Sequence, residues 1–219
     1  MIRTLFFHKQ AADRQEGLPR AEDHGIRRVA LLGAGMMGAG LAVVCAKAGF
    51  EVVLKDIHAD AVERGLAHVR AELAKLKHLD EAGRKVLLDR ITGTTDLESI
   101  RGSDLVIEAV VENLAVKHAV TKETEPLLAP NGIWASNTSA IPITDLQRAS
   151  ARPEQFIGLH FFSPAEKMPL LEIITAAGTS GETLARCLAF GRAIKKTCIV
   201  VNDGYGFFTS RVFSSYILE

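Results

Sequence analysis

One stretch of the chain decides its fold: Val29-Ala-Leu-Leu-Gly-Ala-Gly-Met-Met-Gly-Ala-Gly-Leu-Ala-Val-Val44. It opens with an apolar, β-rich run, continues with the spacing G-x-G-x-x-G at Gly33, Gly35 and Gly38, and ends in a second apolar run. Each glycine has a mechanical reason. The first makes a tight turn out of a strand, the second lets backbone approach a bound group, and the third lets helix and strand pack closely. The stretch therefore predicts a strand, a tight turn and a buried helix.

The residues that follow complete a β-turn-α-β unit. The pattern predicts a helix over 41–48 that ends at Gly49, and a second strand over 51–55 with Asp56 at its carboxyl end. This order is typical of a dinucleotide site, in which the helix N-terminus faces the phosphates. An aspartate there accepts hydrogen bonds from ribose hydroxyls and repels a 2′-phosphate, which favours NAD over NADP. The alternatives are a purely structural glycine turn and a solvated carboxylate.

Composition narrows the class of protein. The 219 residues carry 26 basic and 26 acidic side chains, so the charges cancel and no nucleic-acid partner is predicted. The uncharged run over 29–46 contains four glycines and opens in β-rich sequence, which argues against a membrane span. Three separated cysteines in apolar surroundings indicate reduced core thiols of an intracellular protein, and His8 and Lys9 interrupt any secretion signal. We expect a cytoplasmic protein.

The histidines do not predict a metal site. His58, His68 and His78 recur at intervals of ten in a predicted helix, where successive members rotate by about 280° around the axis. They cannot share one helix face, so no metal is expected.

The rest of the chain alternates between strands and helices. We expect an α/β fold, a doubly wound Rossmann-type, mostly parallel sheet with helices on both faces, over residues 27–203. A short amphipathic helix over 2–14 and a linker over 15–26 are predicted to precede it. The predicted helices cover 59–79, 81–91, 114–128, a segment from about 179, and a segment from Gly206 to 219; the predicted strands cover 104–111, 132–135, 156–162, 170–174 and 198–201.

Polar residues follow several of these strands. Ligands of such a sheet lie outside the carboxyl ends of its strands, so the residues there are candidates for a site. They are Glu112 with Lys117, the run Ser136–Ser139, His160 and Glu172.

Five motifs give the chain a family resemblance. They are Val110-Val-Glu-Asn113, Ser136-Asn-Thr-Ser139, Gly158-Leu-His-Phe-Phe-Ser-Pro164, Met168-Pro-Leu-Leu-Glu172 and Asn202-Asp-Gly-Tyr-Gly-Phe-Phe208. With the glycine turn, they closely resemble the L-3-hydroxyacyl-CoA dehydrogenases of fatty-acid β-oxidation, from about residue 27 to the end. Residues 2–14 also look like the linker that precedes the dehydrogenase part of multifunctional fatty-acid oxidation proteins, in which an enoyl-CoA hydratase domain comes first.

The resemblance implies a catalytic pair. His160 is expected to be the base that takes the proton of a secondary alcohol, and Glu172 its partner that stabilises the imidazolium. Ser139 is expected to hydrogen-bond the reacting oxygen. Taken alone, His160 reads as a satisfied strand histidine and Glu172 as a solvent-side strand residue.

The resemblance also implies a set of residues along NAD. Without it, Lys117 reads as a solvated helix residue, Asn137 as a turn former and Met37 as a core filler. The residues implied to contact the cofactor are Gly33, Gly35, Met37, Gly38, Asp56, Val110, Val111, Glu112, Lys117, Asn137, Ser139 and Ser163.

Two positions depart from the family pattern. Ser163 and Ser210 stand where asparagine is common in the family. The resemblance implies that Ser163 contacts the cofactor and that Ser210 belongs to the catalytic residues. Because a hydroxyl is shorter than a carboxamide, we expect the hydrogen bonds at these positions to be mediated by water or shifted.

The family continues into a mostly helical domain that closes over the acyl chain. Residues 204–219 are expected to begin that domain, so the chain alone should turn over acyl-CoA thioesters poorly. The parent protein is expected to be a homo-oligomer or part of a fatty-acid oxidation complex. The alternatives are a Rossmann dehydrogenase of another small 3-hydroxy acid and a non-catalytic NAD-binding relative.

Overall fold

The fold is a single eight-stranded sheet. The structure is a computed structural model, and it describes residues 10–12, 14, 15, 17–21 and 23–218. The strands lie in the order β3-β2-β1-β4-β5-β6-β7-β8, and only β7 runs antiparallel to the neighbour that precedes it, β6. The mostly parallel sheet is confirmed. The strands are β1 (Arg28–Leu32), β2 (Glu51–Lys55), β3 (Ile91–Thr94), β4 (Leu105–Glu108), β5 (Ile133–Ser136), β6 (Phe156–Phe161), β7 (Leu170–Thr175) and β8 (Thr197–Val201).

Helices cover the sheet and give it two buried cores. In β1, Val29 and Leu31 belong to one core while Ala30 and Leu32 belong to the other. A strand buried on both faces needs an uninterrupted apolar run, which explains the opening of the motif. The helices are α1 (Met36–Lys47), α2 (Ala59–Ala74), α3 (Glu81–Leu88), α4 (Leu114–Thr124), α5 (Ile143–Gln147), α6 (Gly181–Ala193) and α7 (Thr209–Leu218). Among the described residues, no helix combines the length and the apolar character needed to cross a bilayer.

The strand order places a crevice beside β1. This strand lies between β2 and β4, so the connection after β1 runs to one side of it and the connection from β3 to β4 crosses to the other side. At the carboxyl end, Gly33 N–H donates to the carbonyl of Lys55, and Ala109 N–H donates to that of Leu32, both at 2.8 Å. Ligands of open α/β sheets bind at such a switch point.

Several predicted boundaries are wrong. The helix predicted to 128 ends at Thr124 and continues as a 3-10 helix over Glu125–Leu127, because Pro126 lacks the N–H that the helix needs. The helix predicted to 91 ends at Leu88. The β-branched residues beyond it form β3, a strand that the sequence analysis did not predict. The helix predicted to 79 ends at Ala74.

Other differences are smaller. The strand predicted over 104–111 ends at Glu108, the helix expected from 179 begins at Gly181, and the short α5 was not predicted. The last helix begins at Thr209, and Glu219 lies outside the described residues.

The described part of the N-terminal segment contacts the domain through Gln15. Residues 10–12 and 14 are helical, and the remainder of the helix predicted over 2–14 lies outside the described residues. Gln15, in the predicted linker, is buried and its Nε2 donates to the carbonyl of Leu188 in α6 at 3.1 Å. The linker therefore has a fixed contact with the sheet-covering helix.

The three cysteines are buried and unpaired, as predicted. Burial raises the pKa of Cys45 and Cys187 to about 12 and that of Cys198 to about 11. These thiols stay protonated near neutral pH and pack as small apolar groups.

Candidate active site

The glycine turn has room for a cofactor on one side only. Gly33 has φ +101°, and a Cβ there would lie 2.7 Å from the carbonyl oxygen of Ala109. A Cβ on Gly38 would overlap the carbonyl oxygen of Gly33, so α1 can pack onto β1 only with glycine there. A Cβ on Gly35 would meet no atom within 4 Å. The space above Gly35 is where a pyrophosphate can approach the backbone.

Asp56 and a cavity of about 400 Å³ continue this site. Asp56 accepts hydrogen bonds from the N–H groups of Ala34 (2.8 Å) and His58 (3.1 Å), which fixes its carboxylate beside the turn. A carboxylate with two such bonds keeps lone pairs for ribose hydroxyls. The cavity is lined by residues from the ends of β1, β2 and β4, among them Gly33, Gly35, Asp56, Ile57, Val110 and Val111. These residues fit a dinucleotide.

His160 and Glu172 lie directly opposite each other on the antiparallel strands β6 and β7. His160 Nδ1 is 2.7 Å from Glu172 Oε2, and both side chains are buried. The other carboxylate oxygen, Oε1, accepts two hydrogen bonds of 2.7 Å, from the N–H and the hydroxyl of Thr209. Thr209 is the first residue of α7, whose N-terminus favours a negative charge.

The surroundings keep Glu172 ionised. Burial acts to raise the pKa of Glu172, but the hydrogen bonds from His160 and Thr209 outweigh it and hold the pKa below its ordinary value. The ionised Glu172 accepts a hydrogen bond from Nδ1–H of His160, so the ring's Nε2 carries the free lone pair. The rings of Phe162 and Phe207 flank the imidazole, with centroids 4.5 and 5.7 Å away. This arrangement suits a general base.

A buried ion pair supports the neighbouring turn. Glu108 ends β4 and is fully buried, and it accepts hydrogen bonds from Lys117 Nζ (2.6 Å), Ser136 Oγ (2.7 Å) and Val110 N–H (2.8 Å). Lys117 is only 1% exposed, so it is not the solvated helix residue that its sequence context suggests. Its ammonium also lies 3.3 Å from Glu112 and 3.5 Å from the carbonyl of Val110. Through these contacts Lys117 holds the backbone of the turn at Val110 in place.

Glu112 fixes the loop that carries Ser139. Its Oε1 accepts hydrogen bonds from the hydroxyl of Thr138 and, at 3.2 Å, from the N–H groups of Ser139 and Ala140. Burial acts to raise the pKa of Glu112, but the hydrogen bond from Thr138 and the charge of Lys117 hold it below the ordinary value. This anion therefore positions Ser139, whose side chain is exposed.

The remaining predicted site residues fall in several places. Asn137 Oδ1 accepts from Phe161 N–H at 2.8 Å and ties the loop after β5 to β6. Met37 is half-buried against the core, while Met36 is 65% exposed and contacts Ser163 Oγ through its sulfur at 3.4 Å. Ser210 follows Thr209 in α7. The roles of these residues remain predictions.

Two residues of this site were not predicted from the sequence: Glu108 and Thr209. Glu108 had a signal, because a lone acid inside the buried apolar run Leu105–Ala109 must be paired. Thr209 had none, since it reaches a glutamate 37 residues earlier in the chain.

Glu108→Gln should lower the free energy of unfolding by about 3 kcal/mol, because Lys117 keeps its buried charge and loses its closest partner. Chemical denaturation of both proteins measures the difference. Glu51→Gln is the matched control, because Glu51 is exposed and lies 3.5 Å from Arg28, so its loss should cost less than about 1 kcal/mol. Equal effects of the two substitutions would contradict the structural role of Glu108.

Comparison with known proteins identifies the family. Residues 28–204 match the family model described as "3-hydroxyacyl-CoA dehydrogenase, NAD binding domain". The chain is similar to the fatty acid oxidation complex subunit alpha of Shewanella baltica, with 40% identity over all of this chain and 31% of that protein. The chain thus spans about a third of the length of that relative.

Solved structures agree. A (S)-3-hydroxybutyryl-CoA dehydrogenase from Ralstonia eutropha is 39% identical with a TM-score of 0.85, over 88% of this chain and 69% of that one. A 3-hydroxybutyryl-CoA dehydrogenase from Escherichia coli is 33% identical with a TM-score of 0.82, over 86% of this chain and 40% of that one. The chain therefore belongs to the 3-hydroxyacyl-CoA dehydrogenase family and contains its NAD-binding domain.

Proposed function

We propose that this chain supplies the cofactor site and the catalytic base for NAD-dependent oxidation of L-3-hydroxyacyl-CoA to 3-ketoacyl-CoA in fatty-acid β-oxidation. The observation that carries the proposal is the 2.7 Å pair of His160 and Glu172 on the sheet that also forms the nucleotide turn. A dinucleotide turn alone fits many reactions. A buried imidazole with an ionised partner adds the means to deprotonate an alcohol.

The residues of the chain divide the work. NAD, when bound, supplies the hydride acceptor. His160 takes the hydroxyl proton at Nε2, and the negative charge of Glu172 stabilises the protonated ring through Nδ1. Glu112 accepts a hydrogen bond from Ser139 N–H, which supports Ser139 as the residue that hydrogen-bonds the reacting oxygen. Glu108 and Lys117 hold the backbone at Val110, which would lie along the cofactor.

The names of the similar proteins support the wider context. The proposal includes an acyl-CoA thioester as the substrate and a cytoplasmic location. It also includes assembly of the protein into a homo-oligomer or into a fatty-acid oxidation complex. The small 3-hydroxy acid dehydrogenase remains the competing class.

The test compares two substrates in the full-length gene product. With NAD, L-3-hydroxybutyryl-CoA should produce NADH much faster than free L-3-hydroxybutyrate. Faster oxidation of the free acid would favour the competing class, and no oxidation of either would reject the proposed activity.

Asp56 should set the preference for NAD. We expect NAD to bind at least about tenfold more tightly than NADP, and Asp56→Asn to narrow the gap, because the amide does not repel a 2′-phosphate. Calorimetric titration of both cofactors measures this. Asp60→Asn, an exposed change in α2, should leave the ratio unaltered. NADP binding as tight as NAD in the unaltered chain would contradict the prediction.

Glu172→Gln should lower kcat/KM by at least about tenfold. The amide can still accept a hydrogen bond from His160, but it carries no charge to stabilise the protonated ring. Steady-state kinetics of the two proteins test this. An unchanged kcat/KM would mean that the charge of Glu172 does not act on His160.

The same substitution has a stability signature. The pKa of Glu172 in the folded protein is below its ordinary value of 4.5, so the ionised group adds stability that is fully present above pH 4.5. That contribution is lost as the pH falls through the lower folded pKa. The stability difference between the two proteins should therefore shrink in acid, as measured by denaturation at several pH values.

A further inference from the structure

A second cluster of ligating side chains lies apart from the catalytic pair. His68 and Glu72 lie one turn apart on α2, and Glu166 lies in the loop between β6 and β7. One ligand atom from each falls within 4.8 Å of the others. All three line a cavity of about 450 Å³ that lies beside α1 and α2. The spacing of His58, His68 and His78 gives no indication of this cluster, because the other two ligating residues of the cluster are glutamates.

The cluster contains buried polar atoms without partners. The side chain of Glu166 is 9% exposed, and its Oε2 has no hydrogen-bond partner among the described residues. The same holds for Nε2 of His68, which is 3.9 Å from the other oxygen of Glu166. A buried carboxylate without donors is costly, so an unpaired group in a native structure needs an explanation.

A metal ion would give Nε2 of His68 a partner and neutralise the buried carboxylate of Glu166, and we propose that His68, Glu72 and Glu166 bind a divalent cation of the Zn²⁺ type. One imidazole nitrogen and two carboxylate oxygens form a three-residue ligand set that leaves one tetrahedral position open for water. Residues four apart on a helix lie on the same face, so His68 and Glu72 can ligate one ion together. Nitrogen and oxygen ligands of this kind favour Zn²⁺ over Ca²⁺, which takes oxygen ligands only.

The distances allow the ion with a small movement. Bonds of about 2.1 Å in a tetrahedral site place neighbouring ligand atoms about 3.4 Å apart. Nε2 of His68 lies 3.9 Å from Oε1 of Glu166, and all the ligand atoms lie within 4.8 Å of one another. Side-chain rotations that move these atoms by roughly 1 Å would bring them to the tetrahedral spacing.

Several cationic side chains lie near the cluster. Lys75 donates to Oε1 of Glu72 and leaves Oε2 for the ion. Arg64 pairs with Asp60. Lys196 donates to the carbonyls of Ala165 and Met168 at 2.6 Å, and its charge also acts on Glu166, so it competes with the ion. Lys167 also lines the cavity, so its charge weakens the binding. The bound ion would join α2 to the loop that follows the catalytic strand.

Direct binding tests this site. Metal-free protein, prepared with a chelator and desalted, should bind one Zn²⁺ per chain in calorimetric titration, and Zn²⁺ should raise its Tm. Co²⁺ should give the visible absorption of a tetrahedral nitrogen and oxygen site. Glu166→Gln and His68→Gln should each weaken Zn²⁺ binding at least about tenfold.

Two exposed substitutions are matched controls. Glu63→Gln on the same helix and His78→Gln beyond it should leave Zn²⁺ binding unchanged. NAD titration of each variant confirms that it is folded. The proposal is overturned if Zn²⁺ does not bind saturably, or if Glu166→Gln and His68→Gln bind it as the unaltered protein does.

Discussion

Replacing His160 with glutamine should lower the turnover of L-3-hydroxybutyryl-CoA by at least about two orders of magnitude, and leave the affinity for NAD within about twofold. Glutamine has no atom that takes a proton near neutral pH, so the base is lost. Its size and polarity keep the packing between Phe162 and Phe207. Steady-state kinetics in the full-length gene product and NAD titration measure the two effects separately.

The control is His118→Gln. His118 hydrogen-bonds the carbonyl of Asp145 at 2.8 Å, on a helix outside the catalytic pair, so its loss should leave the turnover within about threefold. Turnover near the normal rate in His160→Gln would show that another group removes the proton. A parallel loss of NAD affinity would instead point to a disturbed fold.

The local part of this site could be predicted from sequence because neighbouring residues fix it. The strand, the glycine turn and the helix over 29–44 follow one another. Gly38 is required by the carbonyl of Gly33 within this unit, and Gly33 by the carbonyl of Ala109 after the neighbouring strand β4. Asp56 directly follows β2, which pairs with β1, so its position is also fixed by residues close in sequence. Boundaries failed where one residue overrode a periodic pattern, as Pro126 does at the end of α4.

The tertiary part could not be predicted. The pairing of His160 with Glu172 depends on an antiparallel register that the family motif implies but the spacing alone leaves open. Thr209, which donates twice to Glu172, comes from 37 residues further along the chain. Lys117 looks like an ordinary surface lysine until Glu108 is placed beneath it. Buried polar networks of this kind require the fold before their members can be matched.

The glycines of the turn should separate folding from cofactor binding, and the separation gives the second large effect. Gly38→Ala places a Cβ on the carbonyl oxygen of Gly33, where both partners are backbone and neither can rotate away. We expect it to lower the free energy of unfolding by about 3 kcal/mol or more. Gly35→Ala meets no atom, and its φ of −68° suits any residue. That variant should be as stable as the unaltered protein, or slightly more stable.

NAD binding should show the reverse distinction. The Cβ added at Gly35 occupies the space where the pyrophosphate approaches the backbone, so Gly35→Ala should weaken NAD binding at least about tenfold in a fully folded protein. Gly181→Ala is the matched control, because a Cβ there also meets no atom within 4 Å and the position lies at the start of α6, outside the turn. It should change neither the Tm nor the NAD affinity. Calorimetric titration and thermal denaturation of the three variants decide the matter. If the Gly35→Ala variant is folded and binds NAD normally, the cofactor does not approach the turn at this residue.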